Sequence, residues 1–529
     1  MNRLQYLPLR RAGDCLDVAP LLYHGLNSDD PHVVIDFQGQ AFTRRQLGRE
    51  VAMLQAWLKA QGVSKGDHVA VMLNNSVRHM ALIYAIVLSG LVWIPVNTKL
   101  RGAGLAYLTE HAEPRLLVLE DEFVSLFDGL SGSGPEQVTS QRLDTELAGL
   151  ASGGEPALFQ VPCEVSDTLC LIYTSGTTGA PKGVIFTHRM MRIATEAALI
   201  VADIKAGDRA FLWEPLCHIG GAQMLMMPFL EPMTLLVVER FSASRFWQQW
   251  EEGRATHLHY LGGVLDILMQ LPESAKPEGA RIPIAWGAGI AINSWAPIRE
   301  RLGCQLRECY GMTECSSFAT LNTTGKPGSI GQPLPWITLS LLDEHDQPVK
   351  TGEAGQIVIR SELEGALLPG YWKNPEATAK TLRHGSLYTG DMARQDEEGN
   401  LFFIGRASDS MRVRGENVSA WEVERVFAEH PAIEMSAAMG VSSAIGEQEI
   451  FLFVKFNAGQ IVAWEDLLAW ARPRLASFQL PRYYMAIEAF SLTPSQRIQK
   501  HKLAPELARA WDRQAQTQTD RPLAESRAG

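Results

Sequence analysis

Residues 173–183 read Y-T-S-G-T-T-G-A-P-K-G and constrain this chain more than any other stretch. They hold four Ser/Thr hydroxyls, three glycines and one lysine, and they follow the apolar run Leu169-Cys170-Leu171-Ile172. That order describes a buried strand opening into a loop that can cradle an anion. Gly176, Gly179 and Gly183 let backbone N–H groups approach with no Cβ in the way. Thr174, Ser175, Thr177 and Thr178 add hydroxyl donors, and Lys182 adds a mobile positive charge. The G-x-x-x-x-G-K-[ST] spacing is absent, because Pro181 precedes Lys182 and Gly183 follows it. A Ser/Thr/Gly-rich surface loop is the bland alternative. It does not explain a Pro-Lys-Gly exit behind an apolar strand, so nucleotide phosphates are the expected ligand.

At 529 residues and 58.4 kDa the chain exceeds one ordinary core and predicts two or more domains. Between residues 40 and 115 helical and strand patterns alternate. Leu47, Val51, Leu54 and Leu58 line one helical face, and residues 68–73 read as a buried strand. Such alternation predicts an α/β fold of layered subdomains with a largely parallel sheet. Residues 130–156 are rich in Gly, Ser and Glu and read as a loop or weakly ordered insertion. Near Arg406 the pattern changes to short helices and strands, with helices around residues 421–427 and 464–470 and a strand at 450–454. The expected division is a large N-terminal portion, 1–406, and a small α+β C-terminal domain, 407–529.

The formal net charge of −11 and the lack of a long basic stretch argue against nucleic acid as the main partner. The N-terminus lacks the apolar core of a signal peptide. The apolar stretch 80–96 is broken by Ser89-Gly90 and closed by Pro95. It predicts a buried helix, a glycine turn and a strand rather than a membrane span. None of the seven cysteines forms a C-x-x-C pair, so zinc-ribbon and redox motifs are excluded. A scattered, odd set fits reduced thiols, and the expected location is cytoplasmic. The adjacent Cys217-His218 fits a pocket wall better than a metal pair.

The 173–183 segment closely resembles the signature of the AMP-forming adenylating enzymes. That superfamily contains acyl-CoA synthetases, firefly luciferase and nonribosomal adenylation domains. Further boxes follow in the family's order. Tyr310-Gly311-Met312-Thr313-Glu314 resembles its Y-G-x-T-E box and Tyr388-Thr389-Gly390-Asp391 its Y-T-G-D box. Residues 405–409 and 414–418 resemble its hinge segment, which implies that the small α+β C-terminal domain is mobile. The resemblance runs from about residue 30 to residue 503 and is strongest toward the acyl-CoA ligases.

The resemblance implies a two-step reaction: a carboxylate attacks the α-phosphorus of ATP, pyrophosphate leaves, and the acyl group passes from AMP to the thiol of coenzyme A. Two anions must meet, so catalysis is mostly charge neutralisation and alignment. By resemblance, the loop from Thr174 to Lys182 holds the β- and γ-phosphates. Glu314, with the Thr174 hydroxyl, helps hold Mg²⁺, and Thr313 touches the α-phosphate. Asp391 accepts both ribose hydroxyls, with Arg406 nearby. Tyr310 stacks on adenine, Gly287-Ala288-Gly289 separates the adenine and acyl sites, and Glu308, Gly311, Met312 and Gly415 join the nucleotide site. His218 lies beside the carboxylate and thiol path, with a satisfied core histidine as the alternative. By resemblance the acyl pocket would be walled by the stretch from Trp213 to His218, the stretch from His259 to Val264, Trp286 and Cys315, with His259 and Glu214 as polar points.

Three departures from the family stand out. Its late T-P-S/T-G-K-I-Q-K motif appears as Thr493-Pro494-Ser495-Gln496-Arg497-Ile498-Gln499-Lys500, so Arg497 replaces the lysine that bridges carboxylate and α-phosphate. Arginine keeps the charge in a bulkier, planar form. At the hinge, Ser408 stands where relatives place Lys or Asp. Trp286 replaces a small residue, which predicts a shortened pocket for a short-chain, medium-chain or cyclic monocarboxylate. Loading of a carrier protein and nucleotide binding without ligase activity are the alternatives. A homodimer is left open.

Overall fold

The computed structural model describes residues 17–100, 102–128, 135–174, 181–261, 264–290, 292–406, 410–413, 416–442, 448–475, 477–492 and 498–515. The chain divides into two compact units. The first comprises 1–340, 358–388 and 396–402, and the second 341–357, 389–395 and 403–529.

Two sheets lie wholly within the first unit. The larger has nine strands, in the order Gln332–Pro333, Ser317–Leu321, Gln305–Met312, Ile284–Ala288, His257–Leu261, Arg209–Leu212, Thr234–Val237, Val33–Phe37 and Gln40–Thr43. Its central pairs are parallel, and antiparallel strands close both edges. The smaller sheet runs Glu136–Thr139, Leu116–Leu119, His68–Met72, Val92–Pro95, Thr168–Thr174 and Lys182–Thr187. Its strands are parallel except the last, which forms an antiparallel hairpin with its neighbour.

Local signals explain the helices. Thr43 and Gln46 form a reciprocal capping box at the start of the helix Arg44–Ala60, whose face of Leu47, Val51, Leu54 and Leu58 is buried. The helix Val77–Leu88 is buried from His79 to its end, and Gly90 turns with φ +67° into the strand Val92–Pro95. The apolar stretch is therefore core, as its Ser-Gly break predicts. Among the described residues no helix is long and apolar enough to cross a membrane.

One expectation is corrected. Within 130–156 the structure forms the strand Glu136–Thr139 and the helix Ser140–Ala151. Thr139 caps the helix by accepting from the Arg142 N–H, and Leu143 and Leu147, one turn apart, supply its buried face. Two inward leucines among polar neighbours suffice for a helix lying on a larger core, and they are too few to dominate the composition.

In the second unit a four-stranded sheet runs Ile433–Ser442, Gln448–Phe456, Tyr483–Ala486 and Trp511–Asp512. One face packs on Val423, Phe427 and Leu467 from the helices Ala420–Ala428 and Trp464–Ala471. Another cluster gathers Phe451, Phe453 and Phe490. The predicted small α+β unit is thus present with its own core, and the protein is mixed α/β with a larger N-terminal and a smaller C-terminal part.

Candidate functional site

A hairpin places Thr174 and Lys182, the two ends of the stretch expected to hold phosphate. Thr168–Thr174 pairs with Lys182–Thr187 so that Thr174 faces Lys182, and the Thr174 hydroxyl donates to the Lys182 carbonyl at 3.5 Å. Ser175, Gly176, Thr177, Thr178 and Gly179 lie outside the described residues. A second segment runs alongside. The Ile185 N–H donates to the Gly370 carbonyl at 3.1 Å and the Trp372 N–H to the Gly183 carbonyl at 2.8 Å. Tyr371 is thereby bridged to Val184 across the hairpin. Its ring lies under the Lys182 ammonium, 4.5 Å from Nζ to the centroid, and its hydroxyl donates to Glu314 Oε1 at 2.8 Å. Burial, followed by the Glu314 charge, pushes the Tyr371 phenol up, so it stays a proton donor.

Glu314 sits in the tight turn Thr313–Cys315 at the end of the strand Gln305–Met312. Its carbonyl accepts from the Leu368 N–H at 2.8 Å, and the Ser316 hydroxyl donates to the Ala366 carbonyl at 2.6 Å. The turn needs positive φ at Ser316 (+55°) and Ser317 (+77°). Gly311 just before it is obligatory, since a Cβ there would lie 1.7 Å from the Ser317 carbonyl oxygen. Met312 closes the strand and Thr313 is buried. Tyr310 is also buried, and its N–H donates to Thr320 Oγ1 at 3.1 Å.

Gly287, Ala288 and Gly289 end the neighbouring strand. At Gly287 φ is +151°, and a Cβ would lie 1.9 Å from the Tyr260 carbonyl oxygen, so no side chain fits. Glu308 is buried between these strands. Its carboxyl accepts from the Gly289 N–H at 2.7 Å, the Ile290 N–H at 3.2 Å and the Tyr260 hydroxyl at 2.5 Å. Burial raises its pKa to about 7, although these three bonds pull downward. A raised folded-state pKa contributes stability that is complete below the ordinary carboxyl value of 4.5 and is lost as pH rises through about 7. Glu308→Gln mimics the protonated form, with its oxygen toward the two N–H groups and its amide toward Tyr260. Urea unfolding across that window is expected to show a flatter pH dependence in the variant than in the parent. Equal slopes would remove Glu308 as the titrating group.

Of the residues expected to wall the acyl pocket, the structure brings His259 and Trp286 together, while Trp213 packs on the cluster that holds Leu258 and Tyr260. His259 and Trp286 are cross-strand partners with ring centroids 4.1 Å apart, and Phe318 lies 5.8 Å from Trp286. Trp213 Nε1 donates to the His259 carbonyl at 2.8 Å. Glu214 Oε1 lies 2.5 Å from His259 Nδ1, close but without hydrogen-bond angles. Trp286 is wholly buried and its indole N–H meets no acceptor among the described residues. His218 precedes the short helix Ile219–Ala222, with Nε2 at 3.3 Å from the Asn97 amide nitrogen. Cys315 is buried in its turn, and its thiol donates to the Met312 carbonyl at 3.4 Å.

Asp391 belongs to the second unit, within the strand Ser386–Gln395. It is buried, and its N–H donates to Thr389 Oγ1 at 3.0 Å. Arg406 ends the strand Leu401–Arg406, and its side chain is outside the description. Gly415, Arg497 and the hinge residue Ser408 also lie outside the described residues.

Sequence reasoning missed Tyr371 and the place of Tyr260. Tyr371 reaches Lys182 and Glu314 only through tertiary pairing, and its single local signal is an aromatic pair after Pro369-Gly370. Tyr260 falls within the expected acyl wall 259–264, and only the register beside Gly287 brings its hydroxyl to Glu308.

Residues 26–372 match the family model described as AMP-binding enzyme, and residues 422–497 match AMP-binding enzyme C-terminal domain. A crotonobetaine/carnitine–CoA ligase of Shigella dysenteriae is 28% identical over 456 residues, covering 83% of this chain and 88% of the relative. The fold is similar to o-succinylbenzoate CoA synthetase from Bacillus subtilis in complex with its acyl-adenylate intermediate. The TM-score is 0.82 at 22% identity, covering 92% of this chain and 98% of the other. It is equally similar to ATP-bound MatB from Rhodopseudomonas palustris, with TM-score 0.82, 24% identity and coverage of 91% and 97%. With the matched region spanning well over half of its length, this chain belongs to the AMP-binding enzyme family.

Proposed function

We propose that the protein is an ATP-dependent carboxylate–CoA ligase that forms an acyl-adenylate and pyrophosphate, then acyl-CoA and AMP. The observation that carries the reading is the meeting of Lys182, Glu314 and Tyr371 at the mouth of the hairpin, within the matched family region. One cation and one carboxylate converge where an anionic loop ligand is expected. Relatives named as CoA ligases support the second half-reaction.

In this reading Lys182 and the loop hydroxyls bind the β- and γ-phosphates, and the Gly287–Gly289 backbone, stiffened by Glu308, borders adenine. Asp391 and Arg406 hold the ribose. Arg497 neutralises the meeting carboxylate and α-phosphate. The residues fit Mg²⁺. Glu314 offers one hard oxygen donor and Thr174 a hydroxyl, and among the described residues no group of three or more His, Cys, Asp or Glu forms a cage. Such a cation is held largely by phosphate oxygens and one or two carboxylates. When bound, it neutralises phosphate charge. The division of labour between residues 1–406 and 407–529, with a pivot at Ser408, belongs to the same reading.

The bulk of Trp286, wholly buried against His259, supports a short-chain, medium-chain or cyclic monocarboxylate. The test is to incubate purified protein with ATP, Mg²⁺ and a panel of aliphatic, cyclic and aromatic acids. Pyrophosphate release with stoichiometric consumption of free CoA is expected. Release without CoA consumption would point to carrier-protein loading, and no release with any acid would defeat the ligase reading.

A further inference from the structure

Tyr371 touches both charged groups of the phosphate site. Its ring face meets the Lys182 ammonium and its hydroxyl holds Glu314 Oε1. Its backbone is fixed on both sides. The Tyr371 N–H donates to Thr378 Oγ1 at 2.9 Å, while its neighbours Gly370 and Trp372 are hydrogen-bonded to the hairpin strand. Trp372 adds an indole bond to the His111 carbonyl at 3.2 Å. The side chain therefore has little freedom to leave.

A carboxylate and an ammonium that contact the same phenol attract each other, and more strongly where water is thinned. Lysine's long flexible stem lets it follow. A direct Glu314–Lys182 ion pair would occupy the carboxylate oxygens and the ammonium that a polyphosphate needs. A neutral phenol satisfies both without uniting them, through a charge-assisted hydrogen bond on one side and cation–π attraction on the other.

We propose that Tyr371 is a positioning residue that keeps Glu314 and Lys182 apart, so that each is presented to the phosphate chain instead of to the other. The inference rests on the reading of the hairpin as the ATP site. Tyr371→Phe keeps the ring and removes the hydroxyl that donates to Glu314 Oε1. Glu314 then turns to Lys182 and withdraws it from phosphate.

The experiment is calorimetric binding of ATP in the presence of chelator, so that Lys182 is read without metal. It uses the full-length parent, Tyr371→Phe, Glu314→Gln and the double variant, each with its melting temperature. Tyr371→Phe is expected to weaken metal-free ATP binding roughly tenfold, the scale of one charge-assisted bond, with little change in melting temperature. Adding Glu314→Gln removes the competing charge and is expected to restore the affinity. A merely structural role would not be rescued by a second lesion. Parent-like affinity in Tyr371→Phe, or a folded double variant that stays weak, would overturn the proposal. A parent protein that binds no ATP would instead overturn the nucleotide reading beneath it.

Discussion

Trp286→Ala is expected to destabilise the fold by about 3–5 kcal/mol, the range for truncating a large buried aromatic side chain. The indole has no exposed surface, and it packs on His259 at 4.1 Å and Phe318 at 5.8 Å between centroids. Its removal leaves a void lined by aromatic rings and by the buried Glu214–His259 pair. Because the indole N–H has no acceptor among the described residues, Trp286→Phe is expected to lose far less. The effect is one of volume and not of a lost hydrogen bond. If the void opens to the acyl site, longer or bulkier acids gain about 0.8 kcal/mol for each methylene it admits, and the CoA-consumption profile shifts toward them. Urea denaturation and the acid profile, measured on the same variant, separate the two effects. A stable variant with an unshifted profile would defeat both the packing and the pocket reading.

Asp391→Ala is expected to weaken ATP binding by about 2–4 kcal/mol, the worth of a pair of hydrogen bonds to an ionised acceptor. Calorimetric titration with ATP measures it directly, and circular dichroism checks that the variant is folded. The carboxylate is buried on its strand, with its N–H tied to Thr389 Oγ1, so the side chain is supported by the fold and not by a mobile loop. Parent-like ATP affinity in a folded variant would remove Asp391 from the ribose site.

What could be read from the chain follows a physical divide. The helix Arg44–Ala60 was legible because its cap and its apolar face both lie in consecutive residues. The strand Thr168–Thr174 was legible for the same reason, an apolar run ending in glycine and hydroxyl residues, whereas its antiparallel partner Lys182–Thr187 was not. The helix Ser140–Ala151 was not, because its two buried leucines matter only against a surface built elsewhere. Glu308 illustrates the same limit at the site. Its position two residues before Tyr310 marked it as a candidate near adenine. Its partners, Tyr260, Gly289 and Ile290, come from other strands and are set by register. Tyr371 was invisible because its contacts cross 57 residues to Glu314 and still more to Lys182.

The sheet order also gives the segment 370–372 a protective role. Lys182–Thr187 is the outermost strand of its sheet, and its sequence K-G-V-I-F-T is mostly apolar. An apolar edge with open N–H and C=O groups is a template on which another chain can add a strand. Here the Ile185 N–H and the Gly183 carbonyl are already taken by Gly370 and Trp372. The same few backbone bonds that seat Tyr371 thus close the sheet against self-association, so a lesion that loosens this segment would make the protein prone to aggregate as well as slow.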